Sequence, residues 1–166
     1  MDLLERTSII GEIARLKQGG QLGKTAVMKL LHLLQDGLGV PLGYRFTLYN
    51  YGPYQSEVMS DIEFAESLNR VTVNYLGPDQ GYRITPGSDV GKVPQDIEPK
   101  LKELIRDFGT MNARELELRS TLLFLSRSYS GQQLINRLRE LKPKYSESEA
   151  TVALDDLHDK GLAISG

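Results

Sequence analysis

Tyr49-Asn50-Tyr51-Gly52-Pro53-Tyr54 joins an alternating run to a helical one, and its reading decides the fold. On its N-terminal side Tyr44, Phe46 and Leu48 alternate with Arg45 and Thr47, the period of a strand over residues 44–49. On its C-terminal side Val58, Ile62, Ala65 and Leu68 recur at helical intervals up to Asn69. The Gly-Pro pair is expected to make the turn, with Pro53 in the first turn of the helix, where its missing N–H costs nothing. That helix carries Glu57, Asp61, Glu63 and Glu66 and no base.

Two helices are predicted before this stretch. Residues 2–17 put Ile9, Ile10, Ile13 and Leu16 on one stripe. Residues 25–37 are apolar nearly all round, through Val27, Met28, Leu30, Leu31, Leu33 and Leu34, so this helix should be central and buried. After the stretch, residues 71–75 and 82–85 flank Gly77-Pro78-Asp79-Gln80-Gly81 and read as a hairpin. Helix, helix, strand, helix, hairpin is the order of a winged helix. Residues 87–99 include Pro94 and Pro99, follow Pro86, and read as a linker or surface crossing.

The remainder predicts helices. Ile97, Leu101, Leu104, Ile105 and Phe108 share one face, ended by Gly109. Asn112 with Glu115, Ser130 with Gln133, and Ser146 with Glu149 have capping-box spacing and open three more, the last closed by Gly161. The fold class expected is mainly α, of α+β type. A winged-helix-like domain spans 1–90 with the hairpin as its wing, and a helical domain over 91–166 packs on it. A faint echo between residues 60–73 and 151–164 allows the last helices to be a second helix-turn-helix without a wing, or two helix ends of similar chemistry.

The stretch Lys24 to Leu34, then Gly43-Tyr44-Arg45-Phe46, then Tyr51-Gly52-Pro53-Tyr54 with Ser56, Glu57 and Val58, resembles the Panacea-domain proteins. These include the SocA-like antitoxins and their phage-associated and YwgA-like relatives. The resemblance covers about the first 90 residues, with a fainter trace at 115–125. It implies toxin neutralisation or delivery of a partner to a protease, through protein contacts, and it supplies no catalytic residues.

Bulk properties narrow the classes. The chain has 166 residues, 40% hydrophobic and 25% charged, with net charge -2. That is ample for a core, and it lacks the positive excess of domains that chiefly neutralise phosphates. No cysteine is present, which removes disulfides and thiolate metal sites. No apolar run approaches the roughly 18 residues of a bilayer span, and a cytoplasmic protein is expected.

Several chemical motifs are weighed against plainer readings. Residues 19–25, Gly-Gly-Gln-Leu-Gly-Lys-Thr, resemble a phosphate-binding loop one residue short, but follow a helix where a strand is required. A connector before a capped helix is the plainer reading. His32 and His158 lack a second histidine at ligand spacing. Asp155 and Asp159 beside His158 read as a solvated face, and His32 as a hydrogen-bonded group in a buried helix. No catalytic residue, cofactor or metal ligand is assigned.

Charge separates the two binding readings. Four acids on a groove-reading helix would meet phosphate rows or be desolvated unpaired. The expectation is therefore a non-enzymatic protein-binding module, with Tyr51, Tyr54, Glu57 and Asp61 as interface candidates. A basic toxin or an adaptor target is the expected partner, and homodimerisation is left open. The alternative is a DNA-binding regulator using Arg83 of the wing and Arg127, Arg137, Arg139, Lys142 and Lys144 of the basic C-terminal stretch.

Overall fold

Asp2 opens the first helix by accepting from the Glu5 N–H, while the Glu5 carboxylate accepts from the Asp2 N–H, so two otherwise free donors are satisfied. In the computed structural model, which describes residues 1–17, 22–162 and 164, this helix, α1, runs Leu3–Leu16. Its Ile9, Ile10 and Ile13 are buried. The phosphate-loop-like motif falls partly on residues 18–21, outside the described residues. Gly23 is the N-cap of the next helix but offers no side chain to cap it.

Helix α2 runs Lys24–His32 and continues as a π-helical turn over Leu33–Gly37. The all-round apolar pattern has the predicted result, since Val27, Met28, Leu30, Leu31, Leu33 and Leu34 are all buried. Beyond it the chain is extended, with Tyr44 and Phe46 buried and Arg45 exposed, as alternation predicts. Ladder pairing is shorter than expected. Only Thr47–Tyr49 (β1) pairs, antiparallel with Gly52–Tyr54 (β2).

The Gly-Pro pair is therefore not the turn. Asn50 and Tyr51 make it, and Gly52 follows at φ 94°, a conformation that needs glycine and lets a tight hairpin keep its twist. Pro53 lies in β2 rather than in a helix. In a two-stranded sheet every strand is an edge, so a residue without an N–H is tolerated. Helix α3, Ser56–Ser67, starts after Gln55, whose side chain accepts from the Glu57 N–H at 3.2 Å.

Asn69 leaves α3 at φ 60°, and the chain enters β3, Val71–Tyr75, paired antiparallel with β4, Tyr82–Pro86. Four helices follow: α4 Glu98–Phe108, α5 Ala113–Leu125, α6 Gly131–Leu141 and α7 Glu147–Asp159. The capping boxes at Asn112 and Ser146 form. The one at Ser130 does not, because its side chain makes no capping bond and Gly131 follows at φ 55°.

The described fold is mainly helical with two small antiparallel hairpins. One hydrophobic cluster joins Ile10, Leu30 and Ile62 to Leu104, Leu122 and Leu157. Helix α5 packs on α2 and β2, and also on α6 and α7, so it sets the β1–β2 hairpin between the two halves of the chain. Among the described residues no helix is long and apolar enough to cross a membrane.

Candidate functional site

The β1–β2 hairpin holds its base in the fold and its tip in water. Gly52 and Pro53 are buried, whereas Tyr49 is 65% and Tyr51 72% exposed. Tyr54 is half-buried and packs on Tyr49, ring centroids 5.6 Å apart. Leu48, Tyr49 and Asn50 line an open groove with Leu141 and Lys142, and Leu141 is itself exposed.

Under the tip sits a polar cluster. Lys29 of α2, only 2% exposed, donates from Nζ to the Pro53 carbonyl at 2.9 Å. Lys142, also buried, donates to the Asn50 carbonyl and to Glu117 Oε1, the latter at 2.9 Å. Lys144 and the Tyr145 hydroxyl donate to Glu117 Oε2 at 2.7 and 3.0 Å. Burial pushes the Glu117 carboxyl upward, but the hydrogen bonds from Lys144, Lys142 and Tyr145 outweigh it and hold its pKa below the ordinary value. Burial pulls the Lys29 ammonium down to about 8, against the attraction of Glu117 and with the repulsion of Lys142.

A second buried polar group bridges the halves. His32 Nδ1 lies 2.7 Å from Ser120 Oγ, and Nε2 lies 3.1 Å from Asp36 Oδ2, close in space but off the line of a hydrogen bond. A serine distant in sequence thus meets a histidine that has an aspartate one helical turn away. His32 and Ser120 are both wholly buried, so in this conformation the hydroxyl meets no substrate. His32 also packs edge-on to Phe46 at 4.8 Å, and burial lowers its pKa, which keeps the ring neutral. The arrangement fastens α2 to α5.

The predicted residues separate. Tyr51 is free and exposed, and Tyr54 is partly covered. Asp61 is not on a surface: it is 2% exposed and accepts from Tyr44 Oη at 2.6 Å and Arg6 Nε at 2.8 Å. The reason is its place on the inner stripe of α3 with Val58, Ile62 and Ala65. Glu57 is exposed but pairs with the same arginine at 3.1 Å. Glu66 accepts from the Val73 N–H at 3.0 Å. Glu63 alone of the four acids has no described partner.

The basic residues are similarly engaged. Lys142 is buried, Lys144 is bound to Glu117, and Arg137 pairs with Glu140 at 3.0 Å. Arg127 lies over the Phe124 ring, and Arg139 reaches the Tyr145 carbonyl at 3.4 Å. Arg83 is half-buried, with Nε unpartnered. His158 is exposed, and no cluster of three or more His, Asp or Glu side chains able to hold a metal ion forms among the described residues.

Lys29, Ser120 and Glu117 were not singled out from sequence. The signal was there for Lys29, a lone ionised residue inside an apolar helical run, where such residues are seldom fully buried without a partner; Glu117, flanked by Glu115 and Arg119, gave none. Compared with known proteins, the chain matches no protein-family model and no curated sequence.

Proposed function

We propose that the chain is a non-enzymatic protein-interaction module of the Panacea kind, whose contact surface is the tip of the β1–β2 hairpin. The carrying observation is a pair of largely exposed tyrosines, Tyr49 and Tyr51, on a turn whose base is buried. Aromatic side chains with few torsions and a rigid support lose little entropy on docking and are common binding anchors. The open groove toward Leu141 adjoins these tyrosines and is lined by Leu48 and Leu141 together with Asn50 and Lys142. The partner this fits offers an apolar pocket able to take a tyrosine. Positive charge on a toxin finds little to answer it on α3, because three of the four acids are occupied within the fold.

Residues 1–90 are read as winged-helix-like. Supporting this is the order α1, α2, α3, β3, β4, together with a hydrogen bond from the Ile84 N–H to the Leu22 carbonyl at 2.7 Å. That bond puts Leu22 beside β4. The β1–β2 hairpin is an addition between the second and third helices. DNA binding has less support, since the solvent face of α3 carries Ser60, Glu63, Phe64 and Ser67 and no base.

The test is a pull-down with the product of the adjacent gene, using the full chain, Tyr51→Ala and Tyr54→Ala, with Tyr75→Ala as control. Loss of capture in the first two variants alone is expected. Undiminished capture by both would refute the proposed surface.

A further inference from the structure

The β1–β2 hairpin has three residues in each strand, too few to hold a shape in water alone. Within its four-residue crossing, two backbone carbonyls are claimed by ammonium groups from elsewhere in the chain. Lys29 reaches Pro53 across 24 positions, and Lys142 reaches Asn50 across 92. Glu117, between them on α5, is the carboxylate that pairs with Lys142 and also takes Lys144 and Tyr145.

We infer that Lys29, Glu117 and Lys142 are positioning residues, forming a buried clamp through which α2, α5 and the α6–α7 link hold the hairpin in the one conformation that presents Tyr49 and Tyr51. Its purpose rests on the binding function proposed above, but its existence does not. An ammonium removed from water must direct its N–H donors at fixed acceptors: Lys29 finds the Pro53 carbonyl, and Lys142 finds the Asn50 carbonyl and Glu117. Apolar side chains of similar size would bury as well and fasten less specifically, since packing has no direction whereas these bonds require the carbonyls of residues 50 and 53 at set positions. Gly52 agrees with the same close seating. A Cβ there would lie 2.9 Å from Thr121 Oγ1 and 3.5 Å from Lys29 Cε.

The clamp gives the C-terminal helices a task. They support a recognition element that belongs, in sequence, to the other half.

Hydrogen exchange read by mass spectrometry on the full chain tests this without a partner. In Lys142→Met, amides of residues 47–54 should exchange roughly 10- to 100-fold faster, the loss expected for one charge-assisted hydrogen bond, while those of residues 71–86 stay within about twofold. Unchanged exchange at 47–54, or equal acceleration in both hairpins, would overturn the clamp. Should Lys142→Met fail to fold, the wild-type protein still decides. Nitrogen-edited NMR should show protected ammonium protons for Lys29 and Lys142 and none for exposed Lys102, and their absence would overturn it. Tyr51→Ala keeps the readings apart: it should leave exchange at 47–54 unaltered. Faster exchange in Lys142→Met alongside undiminished partner capture by both Tyr51→Ala and Tyr54→Ala would uphold the clamp and remove the proposed binding surface.

Discussion

The two hairpins are built alike and held differently. Each is a two-stranded antiparallel ladder with a tyrosine pair, Tyr49–Tyr54 at 5.6 Å in one and Tyr75–Tyr82 at 5.1 Å in the other. The β3–β4 hairpin has five residues per strand, and its loop closes through its own backbone, Leu76 N–H to the Gly81 carbonyl at 2.7 Å. The β1–β2 hairpin has three per strand and is closed by two lysines, from α2 and the end of α6, the second braced by Glu117 of α5. One is local, and a substitution in its loop should stay local. The other is tertiary, so changes far away in sequence should reach it.

The largest effect expected is at Glu117. Glu117→Leu leaves Lys29 and Lys142 buried beside each other without a counter-charge, which should lower stability to denaturant by about 3–5 kcal/mol. A loss below about 1 kcal/mol would mean that water reaches the cluster and the two hairpins do not differ in kind.

Glycine substitutions sharpen the contrast. Gly52→Ala forces a side chain to φ 94° and toward Thr121, and should cost about 2–4 kcal/mol. Gly81→Ala meets open space at φ 64°, so only the backbone term of about 1 kcal/mol remains. Equal losses in thermal or denaturant unfolding would break the comparison.

Lys29 predicts a pH signature. Its folded pKa of about 8 lies below the ordinary value of 10.5, so between these the unfolded chain holds a proton that the folded one does not. Stability from this group is complete above pH 10.5 and is lost as pH falls through 8, a difference of up to roughly 3 kcal/mol. Tyr44 and Tyr145 act oppositely above pH 10, because burial raises both phenols. Burial also lowers Lys17, so between pH 8 and 10 wild type should gain stability with pH and Lys29→Met should gain less.

The smallest effect on stability belongs to the tips. Tyr51→Ala and Tyr75→Ala should each change it by less than about 0.5 kcal/mol, since both side chains are mostly in solvent. Their value lies in binding, where only the first is expected to matter.

Much of this was legible in order and little of it in place. Periodicity located the helices, and the loop glycines located the β3–β4 hairpin, because those elements are set by residues a few positions apart. The same reasoning misjudged Gly52-Pro53. A strand three residues long, with a proline in it, has no periodic signature, and what keeps it a strand is α2 and α5 pressing on it. The charges misled for a related reason. Asp61 and Lys142 look like surface residues in a linear chain, and each finds its counter-charge in an element far away.

The sequence by itself determined the succession of elements, the apolar faces and the near-neutral charge, all of which depend on neighbours within one or two turns. Tertiary structure alone decided which charges are free. Pairing over 25 to 92 positions, as for Lys142 with Glu117 and with Asn50, depends on how helices cross, and a carboxylate's worth to a partner depends on whether the fold has already used it.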